Sequence, residues 1–467
     1  MGHRRKRGVI RFMDYVAAPS ASDAHFASPA EALPGAAFRP INYLGSKLRV
    51  LNEIRLAVAQ LTRKTGRVAD LFSGSTVVAQ ALADDGHAVT AVDTQAYAVT
   101  LANACLCIGR RPREECNADA VLNYPLPDQT AERFDLWAPY VREEECALQA
   151  SDADWLRDLY ARLPLAWRNE GTALGASLRG ERVAEQRTIE PLITAIYAGS
   201  YFGIAQALEI DLLRHNLNSM SAANLLSSWQ QQALLASILS AASATVHSAG
   251  KHFAQPLTAA TSANISFRST RLLQDRRLSL AERFLNASVV INARPATYDS
   301  RHDAVLGEAE HFSQRGLADI DVIYMDPPYT AQQYSRFYHI LETITIYQVP
   351  SLFGATGRLT SGLYPANRYK SRFSSKKSAK PAMLTLLKAA RDSGTSAIIS
   401  YSASDPRSDG NARMISLNEI LDMCVTLYGR TNVQSQRLLH RYRQFNSEER
   451  ANTQRNDPEM LIVCKID

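Results

Sequence analysis

Four consecutive residues could hold and activate an amine. Asp326, Pro327, Pro328 and Tyr329 directly follow the short apolar run 322–325. The two prolines carry no N–H and do not continue a strand or a helix, so the turn is stiff. The Asp326 carboxylate and the Pro327 carbonyl can each accept one N–H of a nucleobase amine. These bonds free the nitrogen lone pair for attack on a methyl sulfonium.

Tyr329 adds an aromatic face to this turn. Its ring can stack on a base, and a base must be flipped out of a duplex before it reaches a pocket of this kind. The alternative interpretation is structural, because a buried strand followed by a Pro-Pro turn needs no chemical role.

A second candidate site surrounds Gly74. Phe72, Ser73 and Gly74 lie between a predicted strand and a predicted helix, where backbone amides commonly bind a ligand in an α/β sheet. Asp93 ends the next predicted strand, and a carboxylate there can accept bonds from both hydroxyls of a ribose. The pattern predicts a nucleoside-containing cofactor. A nicotinamide dehydrogenase, or a glycine turn without a ligand, would show a similar layout.

Seven predicted strands must position these residues. They are short runs at 67–72, 87–93, 288–293, 321–326, 397–402, 433–442 and 460–466. Helical segments between several of them predict a mostly parallel, doubly wound α/β sheet, and the last two strands are expected to pair antiparallel. Residues 105–287 lack this alternation and are interpreted as a mostly α-helical insertion.

Composition limits the class of protein. The chain has 467 residues and a net charge of +6, and its longest apolar runs are too short to span a membrane. Its six cysteines form no Cys-x-x-Cys pair, so we expect no metal site and a reduced, cytoplasmic chain. Residues 1–40 combine a basic start with an Ala-, Ser- and Pro-rich stretch and are expected to be disordered.

Three motifs together resemble one enzyme family. The Asp-Pro-Pro-Tyr turn, the Phe-Ser-Gly-Ser-Thr loop at 72–76 and "NYLGSK" at 42–47 resemble the Dam-like, α-group adenine-specific DNA methyltransferases, nearest to restriction-modification methylases of the FokI type. The resemblance implies a Rossmann-like, seven-stranded fold that uses S-adenosylmethionine. It also implies a catalytic domain in two parts, 41–104 and 288–467, with residues 105–287 as the target-recognition domain.

The resemblance also implies roles for single residues. The residues expected to bind S-adenosylmethionine are Tyr43, Lys47, Phe72, Ser73, Gly74, Asp93 and Asp326. The catalytic residues are expected to be Asp326, Pro327, Pro328 and Tyr329. In two places the sequence departs from the family pattern. Thr76 replaces a second glycine of the loop, and no acid after the third predicted strand is assigned to the cofactor's adenine.

A basic segment follows the catalytic turn. Its side chains could contact DNA phosphates, or they could form a solvated loop. They are Arg368, Lys370, Arg372, Lys376 and Lys377.

These features predict an enzyme that methylates the N6 amine of a flipped adenine in double-stranded DNA, in restriction-modification or phage defence. A cognate restriction endonuclease is a candidate partner. The expected location is a bacterial or phage-type cytoplasm, at the nucleoid when bound to DNA. Two alternatives stay open: methylation of a cytosine N4 or RNA amine, and a non-catalytic relative that only binds nucleic acid.

Overall fold

The computed structural model of the chain describes residues 38–62, 65–111, 114–168, 191–257, 265–295, 301–352, 354–355, 358–402, 412–438, 442–443, 454–455 and 459–466. The expected disordered tail at 1–40 lies outside the described residues except for its last three positions.

A seven-stranded sheet forms the centre of the protein. Its strands are β1 Arg67–Asp70, β2 Ala88–Asp93, β3 Asp303–Leu306, β4 Val322–Met325, β5 Ser396–Ser402, β6 Val433–Leu438 and β7 Glu459–Cys464. They lie in the order β3-β2-β1-β4-β5-β7-β6. The first five strands in this order are parallel, and β7 runs antiparallel to both β5 and β6. The predicted α/β class, mostly parallel sheet and antiparallel final pair are confirmed.

Helices fill most of the remaining described chain. They are α1 Leu51–Leu61, α2 Val77–Asp84, α3 Ala96–Cys105, α4 Ala118–Leu122, α5 Asp128–Asp135, α6 Ala138–Gln149, α7 Ala153–Ala161, α8 Leu192–Tyr197, α9 Ile204–Ala222, α10 Ser228–Thr245, α11 Ile265–Arg276, α12 Leu280–Asn292, α13 Ala309–Gln314, α14 Tyr334–Phe337, α15 His339–Ile346, α16 Lys376–Asp392 and α17 Leu417–Tyr428. Short 3-10 turns cover Lys47–Arg49, Ala166–Arg168, Ala249–Lys251, Arg372–Ser374 and Arg430–Asn432. Two small hairpins pair Gly354–Ala355 with Arg358–Leu359 and Tyr442–Arg443 with Gln454–Arg455.

The third predicted strand, 288–293, is wrong. Most of that stretch is the end of α12, and the third strand of the sheet is β3. The β-branched run suggested a strand, but burial recurs at helical spacing through Leu280, Phe284, Ala287 and Ile291. Packing of this face against the helical insertion overrides local strand propensity. The sixth predicted strand is also shorter than 433–442, because β6 ends at Leu438 and residues 439–441 lie outside the described part.

Between β2 and β3 the described residues form helices and loops, as expected for a helical insertion. Its limits at 105 and 287 stay a prediction, and α12 continues past the second of them.

Two carboxylates, one half-buried and one buried, tie this helical part to the helix α15 and its C-cap residue, after the Asp-Pro-Pro-Tyr turn. Glu342 on α15 accepts hydrogen bonds from the N–H groups of Ala96 and Tyr97, both at 3.0 Å, at the start of α3. Asp211 on α9 accepts from the Thr194 N–H at 2.8 Å and from the Tyr347 hydroxyl at 2.6 Å. Because α3 begins just after β2, the Glu342 bonds fix the end of β2 relative to the segment after β4.

Candidate active site

Asp326 comes directly after β4, whose four residues are all buried. Its side chain is 20% exposed, and its Oδ1 lies 2.9 Å from the Nζ of Lys47, which is only 4% exposed. Burial raises the pKa of Asp326 to about 6, although the Lys47 ammonium acts to lower it. Asp326 is therefore ionised near neutral pH and can accept hydrogen bonds.

Glu459 is a second carboxylate at this point, and sequence reasoning missed it. Its side chain is fully buried, and its Oε1 lies 3.0 Å from the Lys47 Nζ. The hydroxyl of Ser400, on β5, donates to the same oxygen. The signal in the sequence was an acid at the start of the apolar run "EMLIVC", the kind of buried charge that requires a partner.

Tyr329 lies in a well-supported position. The Arg413 guanidinium carbon is 4.9 Å from its ring centroid, and the Tyr401 ring meets it edge-on at 5.9 Å. The backbone N–H of Met414 donates to the Tyr329 carbonyl at 3.0 Å. Burial raises the pKa of the Tyr329 phenol, so the hydroxyl stays neutral at ordinary pH.

The glycine loop is shaped by a close approach of Tyr43. Gly74 has a φ of +47°, and a Cβ added there would lie 2.5 Å from the Tyr43 hydroxyl oxygen. The Tyr43 ring itself stacks on Tyr338, with centroids 4.8 Å apart. A side chain at position 74 would therefore displace an aromatic ring that packing holds in place.

Asp93 joins this loop to the end of β2. Its Oδ2 accepts the Gly74 N–H and its Oδ1 accepts the Gln95 N–H, both at 2.9 Å. Burial raises the pKa of Asp93 to about 6, partly offset by these bonds. A carboxylate offers about four acceptor positions, so Asp93 can still accept a hydroxyl donor.

Thr76 takes over the role of the missing second glycine. Its φ is 65°, in the left-handed region that glycine usually occupies. Its N–H donates to the Ser73 carbonyl at 2.7 Å, and Gln80 Nε2 donates to its hydroxyl at 3.0 Å. The turn is kept, and these bonds compensate for the strain of a β-branched residue in this conformation.

One cleft connects the glycine loop to the catalytic turn. Its space, counted with the part open to solvent, is about 770 Å³. Predicted residues from both regions line it: Tyr43, Phe72, Asp93, Asp326 and Pro328. Sequence reasoning did not identify several other lining residues, among them Tyr97, Glu310, Tyr334, Tyr369 and Phe373. Lys47 and Gly74 adjoin the cleft through their contacts with Asp326 and Asp93. Ser73, Pro327 and Tyr329 are not among its lining residues, and each is next in the chain to one that is.

Glu310 was missed because β3 was misplaced. It lies on α13, which begins shortly after the true third strand, and it is buried against the cleft. The Arg372 Nη1 is 3.5 Å from its Oε1. An acid after the third strand is therefore present, and the predicted third strand at 288–293 lies before it in the chain.

The predicted DNA-contacting residues fall into two groups. Lys370, Arg372, Lys376 and Lys377 are exposed, whereas Arg368 is half-buried, with its guanidinium 5.6 Å from the Tyr364 ring centroid. Lys376 and Lys377 open α16, where the helix dipole disfavours positive charge. Their phosphate contacts stay a prediction.

The described residues contain no group of three or more His, Cys, Asp or Glu side chains arranged to hold a metal ion. None of the helices in the described ranges is long and apolar enough to cross a membrane.

Comparison with known proteins points to one family. The family described as D12 class N6 adenine-specific DNA methyltransferase matches residues 43–128 and 291–398. The chain is 60% identical to the Modification methylase LlaI of Lactococcus lactis subsp. lactis over 38 residues, which is 8% of this chain and 6% of LlaI. It is 51% identical to the Type II methyltransferase M.FokI of Planomicrobium okeanokoites over 37 residues, again 8% of this chain and 6% of the relative. No solved structure matches.

Proposed function

We propose that this chain, which belongs to the D12 class of N6 adenine-specific DNA methyltransferases, transfers a methyl group from S-adenosylmethionine to the N6 amine of adenine in double-stranded DNA. The observation that carries this proposal is the single cleft that both Asp93 and Asp326 line. A carboxylate suited to a ribose and one suited to an amine therefore face the same space. Methyl transfer requires that kind of proximity.

The amine end of the cleft depends on the two oxygens of Asp326. The Lys47 ammonium lies 2.9 Å from Oδ1. We assign Oδ2 to one N–H of the adenine amine and the Pro327 carbonyl to the other. Positive charge develops on the amine nitrogen during transfer, and an ionised carboxylate in a buried site stabilises it.

The cofactor end fits S-adenosylmethionine, which supplies an electrophilic methyl group when bound. Asp93 keeps acceptor capacity for ribose hydroxyls, and the bare Gly74 backbone lets the Tyr43 ring approach the loop closely. The buried hydroxyl oxygen of Ser73 has no hydrogen-bond partner among the described residues, which is consistent with a polar ligand group. We assign Phe72, Lys47 and Glu310 to the surroundings of this cofactor.

The substrate and its biological setting rest on similarity. The names of the two relatives describe a modification methylase and a type II methyltransferase. We infer that this chain modifies a specific DNA site in a restriction-modification system, with a cognate endonuclease as partner. We assign stacking on the flipped base to the Tyr329 ring. We assign recognition of the DNA site to residues 105–287.

Replacing Asp93 with Ala should weaken S-adenosylmethionine binding by about 1.5–3 kcal/mol, the range for a charged hydrogen-bond acceptor. Wild-type affinity should also fall as the pH drops through about 6, because the Asp93 carboxyl becomes protonated and loses acceptor capacity. Calorimetry between pH 5 and 8 measures both effects. Asp326→Ala is the matched control and should keep the pH dependence. Wild-type affinity in a folded Asp93→Ala variant would remove Asp93 from the site.

Substitutions at the turn should separate stacking from hydrogen bonding. Tyr329→Phe keeps the aromatic face and should retain most activity, whereas Tyr329→Ala loses about 1–3 kcal/mol of stacking. Asp326→Ala should lower the single-turnover rate by ~10²–10³, because one amine proton then lacks an acceptor. Mass spectrometry of digested DNA gives these rates.

The rates should fall in the order wild type, Tyr329→Phe, Tyr329→Ala and Asp326→Ala. If Phe proves as harmful as Ala, the hydroxyl matters and stacking is the wrong account. If Asp326→Ala methylates at the wild-type rate, the turn has only a structural role.

Replacing Lys376 and Lys377 with Gln should weaken binding to all DNA sequences alike. The slope of log affinity against log salt should fall by roughly one unit for each DNA phosphate that the variant no longer neutralises. Lys388→Gln is the matched control, since Lys388 is exposed further along the same helix. Fluorescence anisotropy over a salt series measures the slope, and an unchanged slope would identify a solvated loop.

A further inference from the structure

We propose that Glu459 is a positioning residue, which holds the Lys47 ammonium on one oxygen of Asp326 and so reserves the other oxygen for the substrate amine. This inference rests on the proposed function of the same site. Glu459 lies outside both segments that match the family.

The geometry shows how Glu459 fixes Lys47. The ammonium lies 2.9 Å from Asp326 Oδ1 and 3.0 Å from Glu459 Oε1, so it bridges two carboxylates. A lysine that is almost fully buried needs such partners, because desolvation of its charge is otherwise costly. With Asp326 alone, the flexible lysine stem could move to either carboxylate oxygen. The second anchor removes that freedom.

Ser400 in turn fixes Glu459. Its hydroxyl donates to Glu459 Oε1, the same oxygen that contacts Lys47. Ser400 lies on β5, and Glu459 pairs with Ser402 of that strand at the start of β7. The carboxylate is therefore held by the sheet rather than by a loop.

The antiparallel direction of β7 explains why an acid at this position reaches the active site. The parallel strands β4 and β5 end at one edge of the sheet, and Asp326 follows β4 there. Because β7 runs the opposite way, it begins at that same edge. Its first residue, Glu459, therefore faces the catalytic turn.

Glu459 also affects how well Asp326 accepts a hydrogen bond. Burial is the main cause that raises the pKa of Asp326, and the charge of Glu459 raises it further, against the effect of Lys47. The titratable and charged groups around Asp326 are Lys47, Glu459, Asp70, Tyr324, Tyr329 and Tyr334. Burial raises the pKa of Asp70 to about 8, so it is mostly neutral at pH 7. Beside the larger effect of burial, the charge of Glu459 therefore makes Asp326 a more basic acceptor.

The test compares Glu459→Gln with wild type in the full-length protein. Gln keeps the size and an acceptor for Lys47 but removes the charge. The pKa of Asp326 should fall by about one pH unit, as expected when one nearby negative charge is removed. Carbon-13 NMR of aspartate-labelled, ligand-free protein measures it, and the signal absent from Asp326→Asn assigns the carboxyl. This readout requires no catalysis.

Single-turnover rates across pH provide the second readout. The Glu459→Gln rate at pH 7.5 should fall roughly tenfold, less than for loss of a group that contacts the substrate. The acid limb of its pH profile should shift to lower pH, because an Asp326 carboxyl with a lower pKa stays ionised at lower pH. S-adenosylmethionine affinity should change less than about threefold, since the ribose carboxylate is untouched.

Asp211→Asn is the matched control, because it also removes a buried carboxylate charge but lies on α9 in the helical insertion. It should leave the Asp326 titration unchanged. If Glu459→Gln does not fold, Glu459→Asp takes its place, because it keeps the charge but has a shorter side chain toward Lys47. Glu459→Asp should lower the single-turnover rate and change the pKa of Asp326 little.

Two results would overturn the inference. One is an Asp326 pKa in Glu459→Gln equal to that of wild type. The other is a single-turnover rate of Glu459→Gln that, at every pH, falls only in proportion to the fraction of the variant that is folded. Absence of methylated adenine with the wild-type protein would instead reject the proposed function, and the NMR titration would still decide the role of Glu459.

Discussion

The bridge from Lys47 to two buried carboxylates joins three distant parts of the chain. Lys47 precedes α1, Asp326 follows β4 and Glu459 begins β7, the last strand of the described chain. Removing either carboxylate would leave a nearly buried ammonium with less compensation, which proteins tolerate poorly. The same short segment carries Tyr43, whose ring closes over Gly74. The segment that holds Asp326 through Lys47 therefore also carries the ring that packs against the glycine loop.

The sheet topology explains why these groups share one cleft. Parallel strands end at a common edge, so β2 and β4 deliver Asp93 and Asp326 to the same side. Glu342 then links the start of α3 to α15, which follows the catalytic turn. These bonds hold the end of β2, which carries Asp93, close to the segment after β4. The proposed methyl transfer depends on the separation of Asp93 and Asp326, because a methyl donor and its acceptor must meet in line.

Sequence reasoning succeeded where a turn signal ended an apolar run. The Asp-Pro-Pro-Tyr and Phe-Ser-Gly turns located β4 and β1 correctly, since prolines and glycines restrict the backbone locally. It failed at 288–293, where β-branched residues lie on a helix whose buried face packs against the insertion. It also missed Glu459 and Asp70, two buried acids at the ends of apolar strands. The partners of such an acid lie far away in the sequence and are known only from the folded structure. Thr76 shows the reverse case, in which a departure from the expected glycine leaves the turn intact.

The most direct measurement is isotope transfer. The purified chain is incubated with duplex DNA and S-adenosylmethionine that carries a deuterated methyl group, and the DNA is digested to nucleosides for mass spectrometry. We expect the label on the N6 nitrogen of deoxyadenosine. Within one wild-type turnover time, the Asp326→Ala variant should transfer almost none of it. Label on cytosine would contradict the proposed adenine methylation. So would unlabelled DNA, provided that the wild-type protein is folded and binds both the cofactor and DNA that contains its recognition site.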